Sequence, residues 1–278
     1  MTFSIVARQG GSVGVAVASK FIAVGAVVPQ TRLGVGAVAT QSFARVAYRE
    51  EVLALLDQGV SPADALARTT AADEDRDRRQ LGAVSAEGQA TFTGAGCMDW
   101  AGGVTGELAE DGGTTRYAIQ GNILVGEQVV LEMERAFRAG AGRPLAHRLV
   151  EALLAGDAAG GDARGRQGAA VVVATPGAGY DHAGTEVDLR VDDHPQAPTE
   201  LARLLDLNDL YFSGPEDVVP LEGDVADEVA TRLRTLGYDA PQVEAALGEW
   251  AGVENYEMRL VPGGIDTKVL QRLRDLTA

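Results

Sequence analysis

In the first forty positions, apolar and small residues fall into short runs separated by turn residues. Residues 2–8 and 13–19 flank Gln9-Gly10-Gly11-Ser12, which predicts a hairpin. Residues 22–28 and 33–40 read as two more strands around Pro29-Gln30-Thr31-Arg32. At Phe43 the period changes. Phe43, Val46, Ala47, Leu53 and Leu56 share one stripe, the pattern of a helix over 43–58 that Gly59 stops. Ser61-Pro62 opens a second helix to about Ala72, with Ser as N-cap and Pro in the first turn. Residues 80–85 and 89–94 predict another hairpin, and 116–120 a further strand. Helices are expected over 128–138 and 144–155. The continuously apolar run at 168–175 is a buried strand, 186–191 is its successor, and 198–212 is a closing helix.

The order is strands, two helices, strands, two helices, strands, helix. It lacks the strict alternation of a doubly wound parallel fold. It predicts an α+β chain, with two antiparallel sheets stacked in a four-layer α-β-β-α sandwich over residues 1–212. Residues 213–224, with two prolines, are expected to be a linker. Residues 225–278 carry three short helical segments, the last capped by Asp266, and are expected to form a small helical domain.

Composition narrows the function. A net charge of −16 over 278 residues disfavours nucleic acid and anionic lipid as partners. The single cysteine, Cys97, excludes an internal disulfide and multi-cysteine zinc sites. Neither a signal peptide nor a membrane span is read from the N-terminal pattern, so a cytoplasmic location is expected. Of 24 basic residues only two, Lys20 and Lys268, are lysines. Arginine and lysine differ where a compact, tunable amine is needed, and Lys20 directly follows an apolar strand.

The first candidate for chemistry is Thr2. Once Met1 is removed, this residue carries a hydroxyl and a free α-amine whose ordinary pKa is ~7.7–8. A Thr hydroxyl activated by its own amine is an established nucleophile and needs no cofactor. Lys20 would tune that amine or hold a carboxylate. Asn122, between a strand end and a helix start, would donate to an oxyanion, with Gln41 a second donor near the substrate. Turn or capping use of Asn122 is the ordinary alternative. Asp192-Asp193-His194 with Arg190 reads as a substrate clamp, as a divalent-metal site joined by Asp181-His182, or as turn chemistry at a strand end. A Cys97–His194 thiol pair has no local pattern behind it.

Several segments resemble one family. They are Met1-Thr2-Phe3-Ser4-Ile5-Val6-Ala7-Arg8, Val15 to Phe21, Val24-Gly25-Ala26-Val27-Val28-Pro29, Gly34 to Gln41, Gln120-Gly121-Asn122, and Val187 to His194. Together they are similar to a bacterial family of unknown function (domain of unknown function 1028) classed with the N-terminal-nucleophile hydrolases. The resemblance covers roughly residues 1–212. It implies the α-β-β-α fold, Thr2 as nucleophile on a small amide or peptide-like substrate, and, by analogy, a homodimer. Proteasome subunits of that superfamily carry an acidic residue at the end of the second strand, where this chain has Ala18, and a downstream lysine that this chain lacks near Gly34. Leu233, Leu236, Gly237-Tyr238, Val269, Leu270 and Leu273 are similar to three-helix peptidoglycan-binding modules, which implies a cell-wall fragment as ligand. Three functions therefore stand as expectations: a Thr2 amidohydrolase, a non-catalytic binder of cell-wall fragments, and a metal-dependent hydrolase at Asp192, Asp193 and His194.

Overall fold

The computed structural model describes residues 2–278. The chain divides into two compact units, one ending at Leu205 and one spanning Asp206–Ala278. The first is mixed α+β, with two antiparallel sheets and several helices. Its strands in chain order are β1 (Thr2–Gln9), β2 (Ser12–Ser19), β3 (Pro29–Arg32), β4 (Gly36–Gln41), β5 (Gln80–Ser85), β6 (Gly88–Thr93), β7 (Gly102–Glu110), β8 (Gly113–Asn122), β9 (Gly168–Ala174) and β10 (Thr185–Val191). Its helices are α1 (Val24–Val27), α2 (Tyr48–Asp57), α3 (Pro62–Ala71), α4 (Gln128–Ala139) and α5 (Leu145–Ala158), and α6 (Ala197–Phe212) begins in it and ends in the second unit.

One sheet has the order β10-β9-β2-β1-β8-β7, the other β3-β4-β5-β6. Alternation along β1 explains how they bury their faces. Val6 joins Val15 and Val17 of β2 and Ala37, Ala39 and Val84 of the smaller sheet in one cluster. Phe3, Ile5 and Ala7 point the other way, into a cluster with Met133 and Phe137 of α4 and Leu149 and Leu153 of α5. The far face of the smaller sheet, through Val38, Leu81 and Ala83, packs on Tyr48, Val52 and Leu53 of α2 and Leu66 of α3.

Three local expectations are corrected. Residues 22–28 hold the single helical turn α1 instead of a strand, entered through Ala23 at φ 50. Gly25 permits that turn to press on the sheet, because a Cβ there would lie 2.6 Å from the Ala170 methyl. The helix expected from Phe43 begins at Tyr48, since Ser42 and Phe43 have left-handed backbone (φ 56 and 50) that a helix cannot contain. The edge strand β7 was not expected at all. It alternates half-buried and exposed residues and is rich in glycine, so it lacks an apolar signature.

The second unit holds α7 (Gly223–Thr235), α8 (Val243–Val253) and α9 (Thr267–Leu276) around Val229, Leu233, Trp250, Tyr256, Val269 and Leu273. Within 213–224, the expected linker, β11 (Val218–Pro220) instead pairs with β12 (Gly264–Asp266). A fully buried ion pair ties these pieces. Arg259 donates to Asp266 Oδ2 (3.0 Å) and to the carbonyls of Leu210 and Asp209 (2.7 Å each). Asp266 Oδ1 caps α9 by accepting from the Lys268 and Val269 N–H groups, and Oδ2 also accepts from Glu216 N (2.9 Å). Burial pushes the Asp266 carboxyl up. The three backbone N–H groups and the Arg259 charge outweigh burial and hold it below its ordinary range. Among the described residues no helix is long and apolar enough to cross a membrane.

Candidate functional site

Antiparallel register gathers the candidate residues at one end of the two sheets. Thr2, the first residue of β1, stands opposite Asn122, the last of β8. Phe3 pairs with Ala18, so Ser19 at the end of β2 comes alongside Thr2. In the smaller sheet the last residue of β4, Gln41, pairs with the first of β5, Gln80. Period-two alternation turns Thr2, Ser4, Gln120 and Asn122 toward the face that Gln41 and Gln80 occupy.

Between the sheets these side chains form a neutral, buried network. Gln80 is its hub. Its Nε2 donates to the Gly121 carbonyl (2.7 Å), Thr93 Oγ1 (3.0 Å) and the Gly102 carbonyl (3.3 Å). Backbone carbonyls only accept, so they fix which way the Gln80 amide faces. Gln80 Oε1 must then be an acceptor, and it receives Gln41 Nε2 (2.8 Å) and Asn122 Nδ2 (2.9 Å). Gln41 Nε2 also donates to the Thr2 carbonyl (3.2 Å). The Ser4 hydroxyl donates to Gln41 Oε1 (2.7 Å) and accepts from Gln120 Nε2 (2.6 Å). Ser4, Gln41, Gln80, Gln120 and Asn122 are all buried.

Two of the expected donors have their amides committed within this network. Gln41 is enclosed, and its amide holds the Thr2 carbonyl. Asn122 turns its amide nitrogen to Gln80, and the atom left buried without a partner is its acceptor, Oδ1. An acceptor cannot stabilise an oxyanion, but it can receive an N–H.

The Thr2 and Ser19 hydroxyls are hydrogen-bonded, Oγ1 to Oγ, at 3.1 Å, and both residues are buried. Ser19 also lines a cleft of about 80 Å³ together with Phe3, Asp157, Asp162, Arg166 and Gly168. Lys20 stands beside this cleft. Its backbone N–H donates to Asp162 Oδ2 (2.7 Å), and its exposed ammonium donates to the Arg166 carbonyl (3.3 Å). The predicted tuning charge thus meets the 160–168 loop and makes no hydrogen bond to Thr2. Asp162, buried, further accepts from the Arg164 N–H (2.9 Å) and guanidinium (3.2 Å). Asp157 accepts from Arg166 Nε at 2.6 Å, which holds the guanidinium in its charged form. Ser19, Asp162 and Arg166 were absent from the sequence candidates. Ser19 followed a strand of small apolar residues, and the 160–168 loop has no periodic pattern to mark it.

The Asp192-Asp193-His194 group does not converge. Asp192 and Asp193 are exposed. Asp193 accepts from Gln167 Nε2 (3.2 Å), and His194 Nδ1 accepts from Gln196 N (3.1 Å), which is turn chemistry. Arg190 is paired with Asp188 two residues away (2.8 and 3.0 Å) on the exposed face of β10. Among the described residues no group of three or more His, Cys, Asp or Glu is arranged to hold a metal, Asp181-His182 included. The Cys97 thiol meets the Arg79 carbonyl at 3.3 Å.

Comparison with known proteins fits this division of the chain. Residues 2–201 match the model described as "Family of unknown function (DUF1028)". Residues 211–273 match one described as "Putative peptidoglycan binding domain". The crystal structure of protein SPO2555 from Silicibacter pomeroyi, assigned to the DUF1028 model, aligns at 31% identity with a TM-score of 0.65, covering 82% of this chain and 92% of that one. Anbu (ancestral beta-subunit) from Yersinia bercovieri aligns at 14% identity over 77% of this chain and 99% of its own, with a TM-score of 0.32, too low to bear on the fold. No curated protein matches the chain.

Proposed function

The chain belongs to the DUF1028 family, and from that premise we propose that it is an amidohydrolase of the N-terminal-nucleophile type, built on an α-β-β-α sandwich, with Thr2 as nucleophile after removal of Met1. The observation that carries this reading is the seating of Thr2. Its hydroxyl is held by Ser19 at 3.1 Å, its carbonyl by Gln41 at 3.2 Å, and the cleft begins at Ser19. A nucleophile on a strand end clamped by two sheets has its approach geometry set in advance.

In the proposed reaction the Thr2 oxygen attacks the amide carbonyl, and its proton passes to the α-amine. As the C–N bond breaks, that proton moves to the departing nitrogen, leaving an ester on Thr2. Water then attacks the ester, the amine accepts its proton, and the Thr2 hydroxyl is restored. Asn122 Oδ1, buried and without a partner directly across from Thr2, is suited to receive an N–H of that amine and orient its lone pair. For the second unit the family match supports binding of a peptidoglycan fragment.

The test is intact-mass measurement of the purified full chain, alone and after exposure to a β-lactone. Loss of the Met1 mass and a single adduct that maps to Thr2 are expected. Thr2→Ala should abolish the adduct, and Thr2→Ser should retain it. A folded protein that keeps Met1, or that is labelled elsewhere and not at Thr2, would end the proposal. Retention of purified muropeptides by the full chain, weakened when the half-buried Tyr238 is replaced, is expected for the second unit; no retention would remove that part.

A further inference from the structure

Resting on Thr2 as nucleophile, the arrangement beside it also narrows the substrate. We infer that the cleft at Ser19 receives a carboxylate, so that the substrate is an amide carrying a free carboxylate within about one residue of the scissile bond, as in an N-acyl amino acid.

The argument begins with which groups around the cleft already have partners. Both acids do. Asp162 accepts through Oδ1 from the Arg164 N–H and through Oδ2 from the Lys20 N–H and the Arg164 guanidinium. Asp157 accepts from Arg166 Nε. Each carboxylate is already charge-paired with an arginine.

The donors stand differently. Arg166 uses Nε on Asp157, and its side chain is 39% exposed. Among the described residues its terminal nitrogens have no partner. A guanidinium end presents parallel N–H groups at the spacing of a carboxylate. Lys20 has three ammonium protons, and among the described residues its ammonium meets only the Arg166 carbonyl, at 3.3 Å. Lys268, the other lysine, is paired with Glu216 at 2.9 Å. In a protein of net charge −16, a lysine ammonium without a carboxylate partner next to a guanidinium whose terminal nitrogens are open is a local positive spot beside the cleft, and such a spot draws an anion.

Size and position complete the assignment. The cleft offers about 80 Å³, and since one water needs only ~10–15 Å³ on that measure, a carboxylate and the atoms next to it have room. Ser19, on its wall, touches the Thr2 hydroxyl. A carboxylate seated there is therefore close to the carbonyl that Thr2 attacks. Hydrolysis follows the steps already given, releasing an amine and a carboxylic acid with one water consumed.

Two β-lactones test this, one with a free side-chain carboxylate and one as its methyl ester, with adduct formation on Thr2 followed by intact mass. In the unaltered chain the acid should acylate Thr2 about tenfold faster than the ester, the scale of one charge-assisted hydrogen bond. N-acetylalanine should slow labelling, while N-acetylalanine amide should not. Lys20→Gln and Arg166→Gln should each shrink the acid-to-ester ratio, and Lys20→Arg should recover part of it. The competition experiment uses only the unaltered chain, so it decides the matter even where a variant fails to fold. Labelling of Thr2 with no preference for the acid and no competition would overturn the carboxylate while leaving Thr2 as nucleophile. No labelling of Thr2 by either lactone would overturn both.

Discussion

The two units each bury a polar centre, and the two centres are built on opposite principles. In the first, Ser4, Gln41, Gln80, Gln120 and Asn122 form a network with no formal charge, oriented by backbone carbonyls. In the second, Arg259 and Asp266 are fully charged and fully buried. A neutral network loses little electrostatic solvation on burial, and its worth lies in fixing where strand ends stand. A buried ion pair has a large desolvation cost that only complete pairing offsets. Asp266 answers that cost with three backbone N–H groups beside the guanidinium, and Arg259 with two carbonyls beside the carboxylate. Placement of a reactive residue calls for the first kind of centre. Closure of a small helical unit around one capped helix is served by the second.

The contrast is broken most severely at the ion pair. Asp266→Ala leaves the Arg259 charge buried and removes the α9 cap, and should destabilise the second unit by about 3–5 kcal/mol in denaturant unfolding of the full chain. Asp266→Asn, which keeps a capping oxygen, should be milder but still destabilising. Combining it with Arg259→Met should recover stability relative to Asp266→Asn alone. If the single and double variants unfold alike, the charges are not what holds this centre.

The next largest effect belongs to the neutral network. Gln80→Leu leaves the Gln41 and Asn122 donors facing a methyl group, at about 1–3 kcal/mol for each donor unsatisfied. It should also loosen Thr2, so acylation of Thr2 should slow by more than the loss of folded protein explains. A stability loss with unchanged labelling would show that the network supports the sheets and not the nucleophile.

The smallest effect separates the units by pH. Bonds from Arg274 and then Arg232 pull the Glu228 carboxyl down to about 2. Its folded value lies below its unfolded one, so its contribution is full above about pH 4.5 and disappears as pH falls toward 2. Glu228→Gln should remove a modest part of the neutral-pH stability of the second unit and flatten its loss over that window. The side chains involved are partly exposed, so solvent screening keeps the effect small. The amide network contains no titrating group and should add nothing to the acid unfolding of the first unit.

How far these centres were legible follows from what patterning records. The apolar runs in 2–8, 13–19 and 168–175 are a direct trace of burial, so the strands carrying Thr2 and Ser19 were evident. Asp266 could be recognised as a cap because capping is a local event. Gln80 and Gln120 were not recognised, because a lone glutamine at a strand end reads as solvent-facing unless the opposite sheet is known. Arg259 was missed for the same reason, its partners being the carbonyls of residues some fifty positions earlier. At Asp192-Asp193-His194 the density of ligand-type residues suggested chemistry, whereas the chain there simply turns a corner.

Gly82 of β5 bears on all of this. An added Cβ there would fall 2.0 Å from Gln120 Oε1, so the Gln120 amide occupies the notch where a side chain would stand. The larger sheet is keyed into the smaller at that notch, and sliding one across the other would drive the key into a wall. A single methyl at position 82 would therefore act as a wedge whose displacement passes from Gln120 through Ser4 and Gln41 to the Thr2 carbonyl.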